Sequence, residues 1–234
     1  MLADRLLRHV LSFSLEGTEL PRSVGVLDPF NGENADQVRR IVTLFHHRYF
    51  SDDRPRILML GINPGRLGAG STGLPFTDTK RCESDLLIPV TGLRTHEPSS
   101  DFFYRMVRAA GGAERFYGQV YVHAICPLGF VKQGGAGQDI NLNYYDDPAL
   151  EKAVTPFVEH WLRTLVACGM RTDVAFCIGT GKNAAYFSKL NARLQLFDRI
   201  VALEHPRFVM QYKAKHLDLY VDKYLSALSD AGYR

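Results

Sequence analysis

Three short segments combine polar residues with glycine or proline in patterns that could serve chemistry. The first, Gly61-Ile-Asn-Pro-Gly65, places Asn63 before a rigid Pro-Gly turn that would fix the direction of its side chain. The second, Ile178-Gly-Thr-Gly-Lys-Asn183, is a glycine-rich turn that carries one lysine. The third runs from Leu203 to Lys215 and contains His205. Taken singly, Asn63 could be an ordinary turn residue and His205 a structural one. Whether they form a site depends on the strands and helices that position them.

Neither glycine-rich segment is a nucleotide-binding motif. The stretch from Gly61 to Asp78 matches neither G-x-G-x-x-G nor G-x-x-x-x-G-K-[ST]. When the second segment is aligned with the phosphate loop, Phe176, two residues before it, stands in place of the first glycine. Asn183 stands in place of the Ser or Thr. This turn therefore argues against a nucleoside triphosphate and predicts that Gly181 and Lys182 contact a backbone phosphate of a polymer.

The segment after His205 combines cations with apolar side chains. Arg207, Lys213 and Lys215 accompany Phe208, Val209 and Met210, which we expect to be exposed. Cations next to apolar wedges are typical of a segment that enters a DNA groove and disturbs base stacking.

The hydrophobic pattern predicts strands that alternate with helices. Strands are predicted over Arg56–Ile62, Gln119–Ile125, Asp173–Ile178 and Arg199–Leu203. Helices are predicted over Asp36–Phe50, from a Ser99 or Ser100 cap to Gly111, and over Pro148–Cys168, Gly181–Leu194 and Gln211–Ser229. This order indicates an α/β three-layer sandwich with a central, mainly parallel four-stranded sheet flanked by helices.

We predict a single domain over residues 1–234, with an N-terminal helical part (1–50) and a core (56–230). Ligands of such sheets bind at the carboxyl ends of the strands. The strand exits begin at Asn63, Cys126, Gly179 and Glu204–His205, so the three segments are expected to meet at one edge of the sheet.

The charge distribution also points to the edge of the sheet where the strands end. The formal charge is only +3, too small to indicate a nucleic-acid partner by itself. Four windows nevertheless hold 11 of the 28 Lys and Arg residues and no Asp or Glu. They lie between Asp53 and Asp78, Glu114 and Asp139, Asp173 and Asp198, and Glu204 and Asp218. Each strand exit lies in or at the edge of one window, which predicts a basic rim.

Composition excludes several classes of protein. The chain is 46% hydrophobic and 23% charged, as ordinary globular proteins are, and we expect no secretory signal. Its apolar runs are far shorter than the roughly 20 residues that a bilayer requires. The four cysteines, Cys82, Cys126, Cys168 and Cys177, show no metal-ligand spacing, so we expect free thiols, no metal and no cofactor.

Together, these motifs resemble the uracil-DNA glycosylase superfamily, and most closely its single-strand-selective monofunctional (SMUG-type) group. The resemblance rests on Gly61–Gly65, the thirteen-residue step from Asn63 to Phe76 in Thr72-Gly-Leu-Pro-Phe76, Val122-His-Ala-Ile-Cys-Pro-Leu128 and His205-Pro206. It covers the chain from about Arg56 to the last helix. The family fold is a parallel four-stranded sheet between helices, in agreement with the pattern above.

The resemblance implies a role for each matching residue. Asn63 would position the attacking water, and His205 would hydrogen-bond the base carbonyl as charge develops there. Phe76 would stack on the flipped base, and Ile62 and Gly65 would supply backbone contacts. Pro206 to about Lys215 would form the intercalation loop, with Arg207 as the nearest wedge candidate, Phe208 and Lys213 as further DNA contacts, and Gly129–Asn143, with Lys132, as a second DNA-facing loop.

One position departs from the SMUG-type pattern. Ala124 stands where that pattern has an asparagine that reads the pyrimidine edge, and a methyl group cannot hydrogen-bond. We therefore expect looser selectivity, with uracil cleaved and other deaminated or oxidised bases, such as xanthine and hypoxanthine, admitted. No lysine nucleophile is indicated, so the expected activity is monofunctional hydrolysis to an abasic site in base excision repair.

Three other functions remain open on the sequence. One is a mismatch-specific thymine/uracil-type glycosylase, which shares Gly-Ile-Asn-Pro-Gly but would lack His205-Pro206. The second is a damaged-DNA binding module that flips bases without cleaving them, and the third is a hydrolase of free nucleosides. The expected partner is DNA with uracil or another damaged base. We expect a cytoplasmic, bacterial, nucleoid-associated monomer with no membrane contact.

Overall fold

The fold is built on a parallel four-stranded sheet. The computed structural model describes residues 1–15, 17–135 and 137–234. Within them the strands are β1 (Val24–Leu27), β2 (Arg56–Gly61), β3 (Val120–Ala124), β4 (Gly129–Gln133), β5 (Asp139–Leu142), β6 (Met170–Ile178) and β7 (Ile200–Leu203). The central sheet has the order β3-β2-β6-β7 with every neighbouring pair parallel. The predicted α/β architecture is confirmed.

Helices cover both faces of this sheet. They are α1 (Leu2–Leu11), α2 (Ala35–Tyr49), α3 (Ala69–Thr72), α4 (Thr79–Ser84), α5 (Pro98–Ala109), α6 (Ala113–Tyr117), α7 (Pro148–Ala167), α8 (Lys182–Leu194), α9 (Pro206–Tyr212) and α10 (Leu217–Asp230). On one face His123 of β3 packs against Trp161 of α7. Elsewhere α6 contacts β3 and α8 contacts β6, and Phe102 of α5 packs against Tyr224 of α10. Burial on both faces explains why β2 and β3 are continuous apolar runs.

A second sheet was not predicted. It is antiparallel, with the order β1-β4-β5, and it pairs Val24 with Lys132 across more than a hundred residues. The segment Gly129–Asn143, expected to be a loop, therefore forms the β4–β5 hairpin, although Ala136 lies outside the described residues. The N-terminal part, expected to be helical, contributes β1 as well as α1 and α2.

Two helix predictions need correction. The helix expected over Gln211–Ser229 is interrupted: α9 ends at Tyr212, a 3-10 turn spans Ala214–His216, and α10 follows. Pro206 at its first helical position starts α9 early, and Lys213 leaves helical geometry with φ of −129°. Neither Ser99 nor Ser100 caps α5, because that helix begins at Pro98.

The basic rim is smaller than the sequence predicted. Arg54 and Arg56 lie at the opposite edge of the sheet, where both bind Asp52. Arg193 pairs with Glu159 near the far end of α8. The cations that remain near the strand exits are Arg66, Lys132, Lys182, Arg207, Lys213 and Lys215.

Candidate active site

A cavity of about 210 Å³ opens at the carboxyl ends of β2 and β3. Seven of the residues predicted from the sequence line it: Ile62, Asn63, Gly65, Phe76, Ala124, His205 and Arg207. Because the carboxyl ends of parallel strands lie at one edge of the sheet, residues as far apart in the chain as Ile62 and Arg207 line one pocket.

Asn63 is held by the β4–β5 hairpin. Its Oδ1 accepts the amide N–H of Tyr144 at 3.2 Å, and its Nδ2 donates to the carbonyl of Leu142, also at 3.2 Å. A peptide N–H only donates and a carbonyl only accepts, so these two backbone groups fix which way the amide faces. The second lone pair of Oδ1 remains able to accept from a further molecule.

Phe76 forms a flat wall of the pocket. Its ring stacks on Phe103, with centroids 4.9 Å apart and planes at 21°. Its backbone has φ of 52°, in the left-handed region that non-glycine residues adopt only where the surroundings hold them. The ring also lies 2.9 Å from the position of a Cβ at Gly61, so only glycine fits at the end of β2.

His205 lies two residues after β7 and is the N-cap residue of α9. Its Nδ1 accepts the amide N–H of Arg207 at 3.1 Å and thereby caps the helix. Burial lowers the pKa of His205 to about 4, and the charge of Arg207 acts in the same direction. The neutral ring therefore carries its proton on Nε2, as a hydrogen-bond donor. Its centroid lies 5.5 Å from that of Phe76.

Ala124 leaves one side of the pocket without a hydrogen-bonding side chain. Its methyl group lies at the end of β3, paired in register with Gly61 of β2. The carbonyl of Ala124 accepts from Trp161 Nε1 at 3.1 Å, and its N–H donates to His123 Nδ1 at 2.9 Å. Both backbone groups are thus engaged within the protein.

Glu97 is a pocket residue that the sequence analysis missed. Its carboxylate lies 1.7 Å from the position of a Cβ at Gly68, so it occupies the space that the glycine leaves open, and Ser99 Oγ donates to it at 2.7 Å. Burial raises the pKa of Glu97, Asp78 acts in the same direction, and Arg207 opposes the shift. No motif marks an acid next to a helix proline as a pocket residue.

Other missed residues come from the N-terminal part and from the hairpin. They are Phe13, Pro29, Phe30, Asn141 and Asn143. Asn141 Oδ1 accepts the N–H of Arg66 at 3.3 Å, which ties the hairpin to the turn after Asn63. Phe13, Pro29 and Phe30 are ordinary aromatic or turn residues in sequence, so nothing short of the fold could place them here.

The remaining predicted DNA contacts lie outside the cavity. Lys132 is exposed on β4, and Gly181 and Lys182 are exposed at the start of α8, which has no side-chain cap. Pro206 is buried at the first turn of α9, and Lys213 follows that helix. Of the three apolar residues expected to be exposed, Phe208 is 40% exposed, whereas Val209 is fully buried and Met210 packs against the core.

The structure offers no candidate for a metal centre or a membrane span in the parts of the chain it describes. In residues 1–15, 17–135 and 137–234, no three His, Cys, Asp or Glu side chains are grouped to hold a metal ion. No helix in those ranges is both long and apolar enough to cross a bilayer. The four cysteines are buried and free.

Comparison with known proteins identifies the family. The family model described as "Uracil DNA glycosylase superfamily" matches residues 47–229. A crystal structure of wild-type SMUG2 from Pedobacter heparinus has 45% sequence identity and a TM-score of 0.95, and the match covers 100% of this chain and 99% of that one. The comparison with curated proteins gave no match. The chain belongs to the uracil-DNA glycosylase superfamily, in its SMUG-type group.

Proposed function

We propose that this uracil-type DNA glycosylase hydrolyses the N-glycosidic bond of uracil and of other deaminated or oxidised bases, and leaves an abasic site. One observation carries the proposal: Asn63, Phe76, His205 and Ala124 line a single cavity at the strand exits. Their arrangement supplies a water site, a stacking surface, a hydrogen-bond donor and a side without base-reading groups.

Asn63 positions the attacking water. Its Oδ1 has one lone pair engaged by Tyr144 and can accept a hydrogen bond from a water with the other. An amide does not take up a proton at neutral pH, so Asn63 orients the water rather than acting as a general base. The developing sugar cation makes the anomeric carbon reactive enough for a water that is held but not deprotonated.

His205 stabilises the departing base. When the glycosidic bond breaks, its electron pair leaves with the base, and negative charge grows on a base carbonyl oxygen. The Nε2–H of neutral His205 donates to that oxygen, and the bond strengthens as the charge develops. This preference for the transition state over the ground state accelerates cleavage.

Phe76 and Ala124 together set the base range. The ring of Phe76, backed by Phe103, stacks on any flat base, because every base has a π-face. The methyl group of Ala124 provides no hydrogen bond that would require a pyrimidine edge. We infer that xanthine and hypoxanthine enter the same pocket as uracil.

Access to the bond in duplex DNA requires that the base be flipped out of the stack. The exposed start of α8, with Gly181 and Lys182, and the exposed side of α9, with Arg207 and Phe208, flank the cavity as the contacts for the backbone and the opened stack. Lys132 and Lys213 add positive charge on either side.

A panel of oligonucleotides tests the proposal. Each carries one uracil, hydroxymethyluracil, hypoxanthine or xanthine, and alkaline strand scission scores the abasic sites. We expect scission at uracil and at one or more purine lesions, in single and double strands compared side by side. Tight binding without alkali-labile sites would identify a binding module instead, and cleavage of free nucleosides with no dependence of affinity on salt would identify a nucleosidase.

A further inference from the structure

A chain of buried hydrogen bonds continues beyond Asn63. Tyr144 binds Asn63 through its backbone N–H, and the same residue sends its side chain into the core, where it is fully buried. The Tyr144 hydroxyl donates to Oδ1 of Asn183 at 2.8 Å. Asn63 is thereby connected to a residue of the glycine-rich turn that follows β6.

Asn183 is fixed by its own partners. It is 1% exposed, and its Nδ2 donates to the carbonyl of Ile178 at 3.2 Å and approaches Cys177 Sγ at 3.4 Å. Because the Ile178 carbonyl can only accept, Oδ1 must face Tyr144. This explains why the turn carries asparagine where a phosphate loop carries Ser or Thr: the side chain points into the protein.

We propose that Tyr144 and Asn183 are positioning residues for base cleavage, which hold Asn63 in register with the DNA-facing start of α8. The proposal rests on the proposed function, because it assumes that Asn63 orients the water. Gly181 and Lys182, which directly precede Asn183, are the phosphate contacts in that proposal. In this proposal the exposed residues of the turn contact the DNA backbone, and its buried Asn183 holds Asn63 through Tyr144.

Loss of the Tyr144 hydroxyl bond is expected to shift Asn63. The buried ring is tied at its hydroxyl to Asn183, and this bond restrains the position of Tyr144, whose peptide N–H Asn63 Oδ1 accepts. A misplacement of about 1 Å in a reacting group can slow a reaction roughly 100-fold. Removal of the hydroxyl leaves the ring volume in place, so we expect a smaller error and a fall in cleavage rate of about 10-fold.

The neighbouring Tyr186 provides a matched control. Its ring packs edge-on against Tyr144 with centroids 4.8 Å apart, and its hydroxyl lies 3.0 Å from Thr155 Oγ1. Tyr186→Phe removes a similar hydrogen bond from the same aromatic cluster without touching the connection to Asn63. A purely structural role of these hydroxyls predicts equal effects of the two substitutions.

The experiment measures single-turnover cleavage of a uracil oligonucleotide at saturating enzyme, with DNA affinity and thermal stability measured in parallel. Tyr144→Phe should cleave about 10-fold more slowly with unchanged affinity, whereas Tyr186→Phe should stay within about 2-fold of the parent protein. Asn183→Leu removes the same bond from its other end and should reproduce the loss, which provides a second variant if one of them folds poorly. A folded variant of either residue that cleaves at the parent rate overturns the proposal.

The Asn63→Ala background separates this inference from the proposed function. If Tyr144 acts through Asn63, Tyr144→Phe adds no further loss to Asn63→Ala, as coupled sites require. An additional loss of the same size in that background overturns the positioning role. If Asn63→Ala itself cleaves normally, the proposed function of Asn63 fails, whatever Tyr144 does.

Discussion

The imidazole of His205 accepts the amide N–H of Arg207 through Nδ1, so one ring both caps α9 and presents its Nε2–H to the pocket. The two tasks fall on opposite sides of the ring, and neutrality is required for the first. Because burial keeps the pKa near 4, the neutral ring persists throughout the physiological range. Substitutions can separate the two tasks.

His205→Asn should keep the cap and lose the donor. Asparagine is a favoured N-cap residue, so we expect little loss of stability, whereas His205→Ala should cost about 1 kcal/mol. Both variants should cleave uracil about 100- to 1,000-fold more slowly, as loss of one transition-state donor does. Thermal unfolding and single-turnover rates measure the two effects. Normal cleavage by His205→Asn would show that the Nε2–H does not serve the reaction.

Ala124→Asn should narrow the base range toward uracil. An amide at the end of β3 would hydrogen-bond the pyrimidine edge and leave an unpaired polar group when xanthine is bound, so we expect the ratio of uracil to xanthine rates to rise about 10-fold or more. Rates on the two lesions in one sequence context provide the measurement. Ala124→Leu has similar volume without the amide, and an equal change in that variant would point to steric exclusion.

Lys182→Ala should weaken DNA binding equally for every base. Its side chain is exposed at the start of α8, and the loss of one phosphate contact should lower the slope of log K against log salt by about one unit. Lys189 is exposed on the same helix, two turns from the strand exits, and is the control. A slope that falls equally in Lys189→Ala would place the phosphate elsewhere.

The free energy of unfolding should fall as the pH drops from about 6.5 to 4. Burial lowers the pKa of His46 from 6.5 to about 4, while its ring nitrogens contact the Val42 carbonyl and the Tyr121 hydroxyl. Burial is also the largest cause of the lowered pKa of three other histidines, His9, His123 and His205. Between these pH values the histidines are protonated in the unfolded chain but remain neutral in the folded protein. Lowering the pH therefore favours unfolding.

His46→Gln should make this pH dependence shallower, since it removes one of these groups and keeps an amide that can donate and accept. The adjacent His47 is exposed and contributes only the smallest of the effects on the pKa of His46, so His47→Gln should change the slope less than His46→Gln. Urea unfolding at several pH values measures both. Equal slopes in the parent and in His46→Gln would show that other groups set the acid sensitivity.

The sequence predicted the central sheet because buried parallel strands are continuous apolar runs. Gly61, Cys126 and Gly179 then mark the strand ends, so the meeting of Asn63 with His205 followed from topology. The small sheet escaped prediction because β1 and β5 are four-residue strands with mostly exposed or partly exposed side chains, and because β1 pairs with β4 more than a hundred residues away.

Side-chain roles were harder to predict than backbone positions. Val209 has the residue type of a wedge, yet the turn of α9 directs it into the core. In sequence Asn183 is only a departure from the phosphate-loop motif, whereas in the structure it is buried and accepts a hydrogen bond from Tyr144. The carboxylate of Glu97 occupies space that Gly68 leaves open, and that relation joins two segments with no common sequence pattern.

The small sheet has a consequence for any shortened form of the enzyme. β1 lies before residue 47, outside the family match, yet it pairs along β4, and β4 carries the β5 strand that leads into Leu142 and Tyr144. A shortened protein that kept every motif from Gly61 to His205 but lacked β1 would leave β4 unpaired on one side. One strand that supports the hairpin behind Asn63 therefore lies outside the stretch by which the family is recognised, so a minimal enzyme needs β1 as well as the motifs.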